Sequence, residues 1–436
     1  MKKNIKYSAL ALALAISLVA CGNDNKSTNE DTKNESAVTT EAENPAGNEE
    51  VANEKEIKES ETTKEVGENE KNTEKRDFSD KLKGEDGVVR WVRGHSGNLM
   101  MTMAEHNGYL EEYGLTVEQT PMQTTDESFS AVAGNQVDIV SNAGTATPLQ
   151  RIATGDDLQI FGGHMVEGAV FLIANEGEEW TDMSSLIGKK VAGRPSDYVL
   201  TGPLLEMGYD PINDVEWVHT GNAAEAVSVL KSGGVDFASV GTELAHQVKT
   251  DDSIQEIGKY GNLMDKYSCC RMETASRFIN EKPETTKALL KALLRGMRDF
   301  EKDPEGATEL LAQELDVPVE FVLAYTLDEG YEIHPDPLYN SCVRAWTYLD
   351  ELGFLDENAK NIDLRDHIRV DLYKEALDEV IAEVGDEDPE YWQDQLDYFE
   401  ANNSMYYNKD EEEEFVENFK TTLEENRAKN KADKNS

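Results

Sequence analysis

Short apolar runs alternating with amphipathic stretches set the pattern of the chain from residue 88 onward. Val88–Val92 reads as a first strand, and a polar turn, Arg93–Asn98, follows it. Leu99–His106 has helical spacing, with Ser96 or Asn98 as its N-cap. Leu115–Thr120 alternates like a strand. Glu127–Ala133 sets Phe129 and Val132 on one side of a helix, which Gly134-Asn135 ends. Val137-Asp138-Ile139-Val140 is then an apolar run fit for a buried strand. A small polar loop, Ser141–Thr145, leads to a helix near Thr145–Thr154 and a strand at Gln159–Gly163. This is an α/β pattern. In open α/β sheets ligands collect beyond the carboxyl ends of the strands, where small residues expose the N–H groups of the next helix. The turn with His95, Ser96 and Asn98 and the loop with Asn142, Gly144 and Thr145 are therefore candidate ligand contacts.

The run G-Y-L-E-E-Y-G-L-T-V at 108–117, followed by A-G-N-Q-V-D-I at 133–139, resembles the first lobe of ABC-transporter substrate-binding proteins. The similar subgroup handles nitrate, sulfonates, taurine and thiamine-pyrimidine precursors. D-M-S-S-L-I-G-K-K-V at 182–191 is similar to that family's opening of the second lobe, and S-R-F-I-N-E-K-P-E at 276–284 to a later motif. The resemblance covers about residues 88 to 355. It implies a two-lobed periplasmic-binding-protein type II fold with a hinge, and the helices beyond it are a C-terminal extension. The expected parts are lobe 1 at 87–168, lobe 2 at 169–266, and a return to lobe 1 with helices at 267–402. An acidic and mixed tail follows at 403–436, with Phe415 and Phe419 marking one last, loosely docked helix.

Ala169–Ala174 is read as the first crossing between lobes and Lys266–Met272 as the second. In lobe 2, Ser196 or Asp197 caps a helix running to about Met207, and Tyr198 is placed to stack on a flat ligand. Gly233–Val240 echoes the Gly-x-x-Asp turn of lobe 1, so Thr242 and Glu243 take the place of Gly144 and Thr145. His164 precedes the first crossing. On the second, Arg271 is a fork for an anion. Cys269 and Cys270 are read as cavity lining, as two small strand residues, or as a vicinal disulfide or soft-metal pair. His164 and Glu167 would pair on a metal only if helical, and the segment reads as extended without a third ligand. No metal site is assigned.

Residues 1–21 read as a leader: Lys2, Lys3 and Lys6, an apolar stretch too short to span a bilayer, then L-V-A-C-G. The last motif resembles the bacterial lipobox, which implies acylation of Cys21 and a stable membrane anchor. Residues 22–86 are poor in large apolar side chains and read as a disordered acidic tether, reaching roughly 40–50 Å. The expected location is the outer face of the cytoplasmic membrane, in a cell without an outer membrane.

The chain has 436 residues, 42 Lys and Arg against 88 Asp and Glu, and a formal net charge of −46, which argues against nucleic acid as a partner. Four cysteines in this spacing make neither a disulfide framework nor a zinc motif. The resemblance implies a monomeric binding protein that captures a small polar organic ligand and delivers it to an ABC permease and its ATPase, with no cofactor and no catalysis. Two other readings stand beside it. One is an enzyme similar to the thiamine-pyrimidine synthases, which use lysine-bound pyridoxal phosphate; the His95 loop has no lysine near it. The other is a surface sensor or adhesin on the same fold.

Overall fold

The computed structural model of the chain describes residues 76–121 and 124–433. The leader, Cys21 and most of the expected tether lie outside them. The tether ends earlier than residue 86. Phe78 stacks on Tyr113 at 5.1 Å, and Leu82, in the short turn Ser79–Leu82, is buried. These two apolar side chains recruit the segment to the folded body.

Strands β1 (Val88–Arg93), β2 (Thr116–Pro121), β3 (Ile139–Gly144) and β4 (Gln159–Gly163) belong to the first lobe. β5 (Met165–Gly168) leaves it, and β6 (Phe171–Asn175), β7 (Lys190–Ala192), β8 (Glu216–Val218), β9 (Phe237–Val240) and β10 (Ile254–Lys259) build the second. β11 (Cys270–Thr274) returns to the first sheet, and β12 (Tyr331–Ile333) pairs with β5. The sheet orders are β2-β1-β3-β11-β4 and β10-β6-β9-β7-β8. Each has the same plan. Three parallel strands from one βαβαβ unit are followed by one antiparallel strand that enters through a crossing, β11 or β6, and then by an outer strand antiparallel to it, β4 or β10.

The crossings differ from expectation. Phe171–Ala174 is apolar because β6 is a fully buried strand between β9 and β10, so the chain crosses at β5 instead. Likewise Cys270–Met272 already lies in the lobe 1 sheet, and the return crossing is the segment from Tyr260 to Cys269.

The 20-residue helix Pro283–Lys302 carries lobe 1. Leu289, Leu290, Leu293, Leu294 and Met297 form its apolar face. Its other face is also buried and basic. Lys291 bonds to Glu379 at 3.1 Å and Glu383 at 2.9 Å, and Arg295 to Glu112 at 2.6 Å. Gly296 lets this helix touch Leu99–His106, since a Cβ there would run into the Met100 carbonyl oxygen.

Residues 403–433 are not a loose tail. The helix Pro389–Tyr407 kinks at Asn403, whose backbone is non-helical (φ −129°, ψ 15°), and Lys409–Asp433 forms a further helix. Leu423 is fully buried, and Phe415 and Phe419 pack beside it. On the lobe 1 side Glu412 binds Arg365 at 2.6 Å and Tyr339 at 2.9 Å. On the lobe 2 side Asn426 and Asn430 donate to the carbonyls of Glu206 and Met207 at 2.7 and 3.1 Å. Among the described residues no helix is long and apolar enough to cross a membrane.

Candidate functional site

A cavity of about 370 Å³ opens between the lobes at the strand ends, within the size range of small-molecule sites. Lobe 1 contributes Gly144 to Thr147, at the end of β3. Lobe 2 contributes the loops after β7 and β8, and the crossings add Val170, Tyr260, Tyr267 and Cys269.

Three nine-residue helices begin in its wall: Ala146–Thr154, Tyr198–Glu206 and Ala223–Lys231. Helix starts present unbonded N–H groups and a partial positive charge. Asp197 and Asn222 cap two of them, accepting from Val199 N–H at 3.2 Å and Glu225 N–H at 2.9 Å. The Ala146 helix has no side-chain cap, because the Thr145 hydroxyl is turned to the Ser268 carbonyl. Arg194, exposed at the rim, adds a full positive charge.

Asp197 is the acid of the wall. Its Oδ2 accepts the Tyr260 hydroxyl at 2.6 Å, and that hydroxyl also meets Ser239 Oγ at 2.6 Å. Burial pushes the Asp197 carboxyl up; the bonds from Tyr260 and the helix N–H groups, and the charge of Arg194, oppose the shift. The cavity thus pairs an anion-favouring set of helix starts with one hydrogen-bond acceptor. The Tyr198 ring lies parallel to Tyr348, 6.4 Å away, and its hydroxyl donates to the Tyr267 carbonyl. Its face is committed to the protein rather than open for stacking.

A wider groove of about 750 Å³ runs between Tyr339–Glu351 and the C-terminal helix. No strand end lines it, so its position lacks the logic of the first cavity.

Residues 97–307 match the NMT1/THI5-like family model. This stretch is similar to that family's domain. No curated protein matches the chain in sequence. Among solved structures, the aliphatic sulphonate binding protein SsuA from Escherichia coli is 15% identical, with a TM-score of 0.54, over 65% of this chain and 92% of that one. The nitrate-binding protein NrtA from Synechocystis PCC 6803 is 17% identical, with a TM-score of 0.55, over 67% and 89%. The desulfurization enzyme DSZB is 14% identical, with a TM-score of 0.50, over 67% and 99%. The two-lobed α/β fold is that of the periplasmic binding proteins.

Of the residues singled out in the sequence, Gly144, Thr145, Ser196, Asp197, Tyr198 and Cys269 line the cavity. A second group is brought together inside lobe 1, away from it. Asn142 donates to Ser96 Oγ at 3.2 Å, and its Oδ1 faces His164 Nδ1 at 3.1 Å. Burial holds His164 down at about 3, so it is a neutral core imidazole. Asn98 caps its helix at Met101 N–H, and His95 is exposed on the turn beside it. Tyr325 covers this turn, its hydroxyl donating to the Ser96 carbonyl at 2.9 Å.

Arg271 is fully buried. It donates to the carbonyls of Asp336 at 2.7 Å and Met165 at 2.6 Å, so its fork ties strands together and does not reach the cavity. Thr242 donates to the Gly168 carbonyl, Glu243 is exposed, and Cys270 is buried behind Cys269. Sequence reasoning missed Arg194, His219, Thr220, Asn222, Ser239, Tyr260 and Tyr267. The strand-end rule reaches 219–222 directly, since they follow β8. Tyr260 was hidden because the return crossing starts earlier than its apolar pattern indicates.

Proposed function

We propose that the chain is an extracytoplasmic solute-binding lipoprotein of an ABC importer, monomeric and anchored through Cys21, that hands its ligand to a permease driven by an ATPase. The observation that carries this reading is the cavity between two lobes joined by two crossings, into which three helix starts open. Closure of the lobes over a ligand held there needs no catalytic group. The ligand is small and polar, with an anionic or electron-rich group for the helix starts and Arg194, and a hydrogen-bond donor for Asp197. Sulfonates, nitrate and aminopyrimidine thiamine precursors cover that range, and the structural relatives that bind sulfonate and nitrate support it.

An enzyme of the thiamine-pyrimidine-synthase type is the second reading, motivated by Cys269 in the wall and by a desulfurization enzyme with the same fold. The cavity lining contains no lysine, so a Schiff base with pyridoxal phosphate has no amine to form on there.

Native mass spectrometry of the purified chain, followed by a thermal-shift screen of sulfonates, nitrate, aminopyrimidines and thiamine precursors, tests the proposal. A ligand at a hundred times its Kd adds about 2.7 kcal/mol to stability, and Arg194→Ala is expected to reduce the shift. No bound mass and no shift across the panel would count against it. Turnover of a panel member by the pure protein would favour the enzyme.

A further inference from the structure

Cys269 and Cys270 are consecutive, and their sulfur atoms lie 3.3 Å apart. Successive side chains of a regular strand point to opposite faces, so this approach requires a break in the strand. The chain supplies one just upstream. Lys266 and Ser268 both take left-handed backbone conformations, with φ of 45° and 59°, and β11 begins only at Cys270. For residues other than glycine that conformation is unfavourable. The surroundings hold it: Tyr198 donates to the Tyr267 carbonyl, Thr145 to that of Ser268, and the Cys269 N–H to Val166 at 3.0 Å.

The two thiols are not equivalent. Cys269 is half-buried and lines the cavity, whereas Cys270 lies behind it. The Cys270 thiol donates to Cys269, which favours the thiolate on Cys269 and leaves the proton on Cys270. An accessible thiolate with a second thiol in contact is the arrangement in which a sulfenic acid is resolved to a disulfide.

We propose that Cys269 and Cys270 form a reversible oxidation site in the cavity wall, closing to a vicinal disulfide with hydrogen peroxide as oxidant. The Cys269 thiolate attacks one peroxide oxygen, the O–O bond breaks, and the departing oxygen leaves as water after taking a proton. The Cys270 sulfur then attacks the sulfenic acid, the S–S bond forms, and the hydroxyl leaves with the Cys270 proton as a second water. Two thiols lose two electrons and two protons, and one peroxide becomes two waters. Adjacent Cα atoms are about 3.8 Å apart, closer than the roughly 4.4–6.8 Å of ordinary disulfides. The bond is therefore strained and easily reduced.

Closure reaches the ligand wall. The carbonyl of the peptide between the two cysteines accepts the Thr145 N–H at 3.1 Å, and Thr145 opens the Ala146–Thr154 helix. Twisting that peptide weakens the bond and frees the helix start. The chemistry does not depend on what the cavity binds.

The test is peroxide treatment of the full chain carrying Cys21→Ser, read by intact mass, peptide mapping and amide hydrogen exchange. The expected result is a loss of about 2 Da that a reductant reverses, with the link inside the peptide holding residues 269 and 270. It persists in Cys342→Ser and vanishes in Cys269→Ser and Cys270→Ser. Exchange at Thr145 is expected to rise on oxidation. Oxygen addition without mass loss, no reaction, or a link to Cys342 would overturn the site. A link formed with unchanged exchange at Thr145 would overturn its coupling to the wall. If the single variants do not fold, the peptide map of the parent chain decides.

Discussion

Asp138 and Asp236 make the same bond in opposite lobes. Each carboxylate accepts, at 2.8 Å, a backbone N–H from the first strand of its lobe's βαβαβ unit, from Arg90 in β1 and Lys190 in β7. Each residue also returns its own N–H to the carbonyl of that partner. The aspartate after the turn thus fixes the register of β3 on β1 and places the lead-in to β9 on β7. Asp138 is buried and further binds the Arg90 side chain, while Asp236 is only half-buried. Asp138→Ala is expected to cost about 2–3 kcal/mol and Asp236→Ala about 1 kcal/mol. Urea denaturation of the two variants measures the difference, and equal losses would contradict this account.

Gly296→Ala separates two opposing effects. In a helix interior, alanine is favoured over glycine by about 1 kcal/mol. Here the added methyl meets a backbone carbonyl, which cannot rotate away as a side chain does. Overpacking of about 1–3 kcal/mol should win, lowering the melting temperature. A stabilised variant would show that the two helices separate freely.

Lys291 has a side chain only 2% exposed, against Glu383 at 4%. Without Lys291, Glu383 keeps Lys81 at 3.0 Å and the Tyr113 hydroxyl at 2.8 Å, so its charge is left partly compensated. Lys291→Ala should cost less than the roughly 3–5 kcal/mol of a fully stranded buried charge, and the double variant Lys291→Met with Glu383→Gln less again. Thermal denaturation of the three proteins checks the order.

His164 titrates at about 3 in the fold and near 6.5 when unfolded. Between those values the unfolded state holds a proton that the native state does not. Stability therefore falls as pH drops through this window, with a slope of up to about 1.4 kcal/mol per pH unit. Asp336, raised to about 7 by burial, acts in the opposite sense. The clean readout is a comparison with His164→Asn, which should lose stability less steeply between pH 6 and 4. Parallel curves would remove His164 from the acid response.

Much of this was legible in the sequence, for physical reasons. The Gly-x-x-Asp echo shows because a left-handed turn and a backbone-binding carboxylate admit few residues; Asn135 and Gly233 take that turn at φ 57° and 75°. Gly144, Thr145, Ser196 and Asp197 were found because strand ends and helix starts mark themselves locally. The crossings were misplaced because apolarity reports burial, and β6 is buried as a sheet strand. Arg271 and the His95 turn needed residues far along the chain. Asp336 and Met165 offer Arg271 its carbonyls, and Tyr325 covers the turn. No local pattern announces such partners.

The helix Tyr198–Glu206 starts in the cavity wall and ends under the side chains of Asn426 and Asn430. It is roughly 13 Å long and, at that length, behaves as a stiff rod. The helix Lys409–Asp433 therefore holds the far end of a lever whose near end meets the cavity. A tag or truncation near Asn426 is then a perturbation of recognition, although no residue of the Lys409–Asp433 helix lines the cavity.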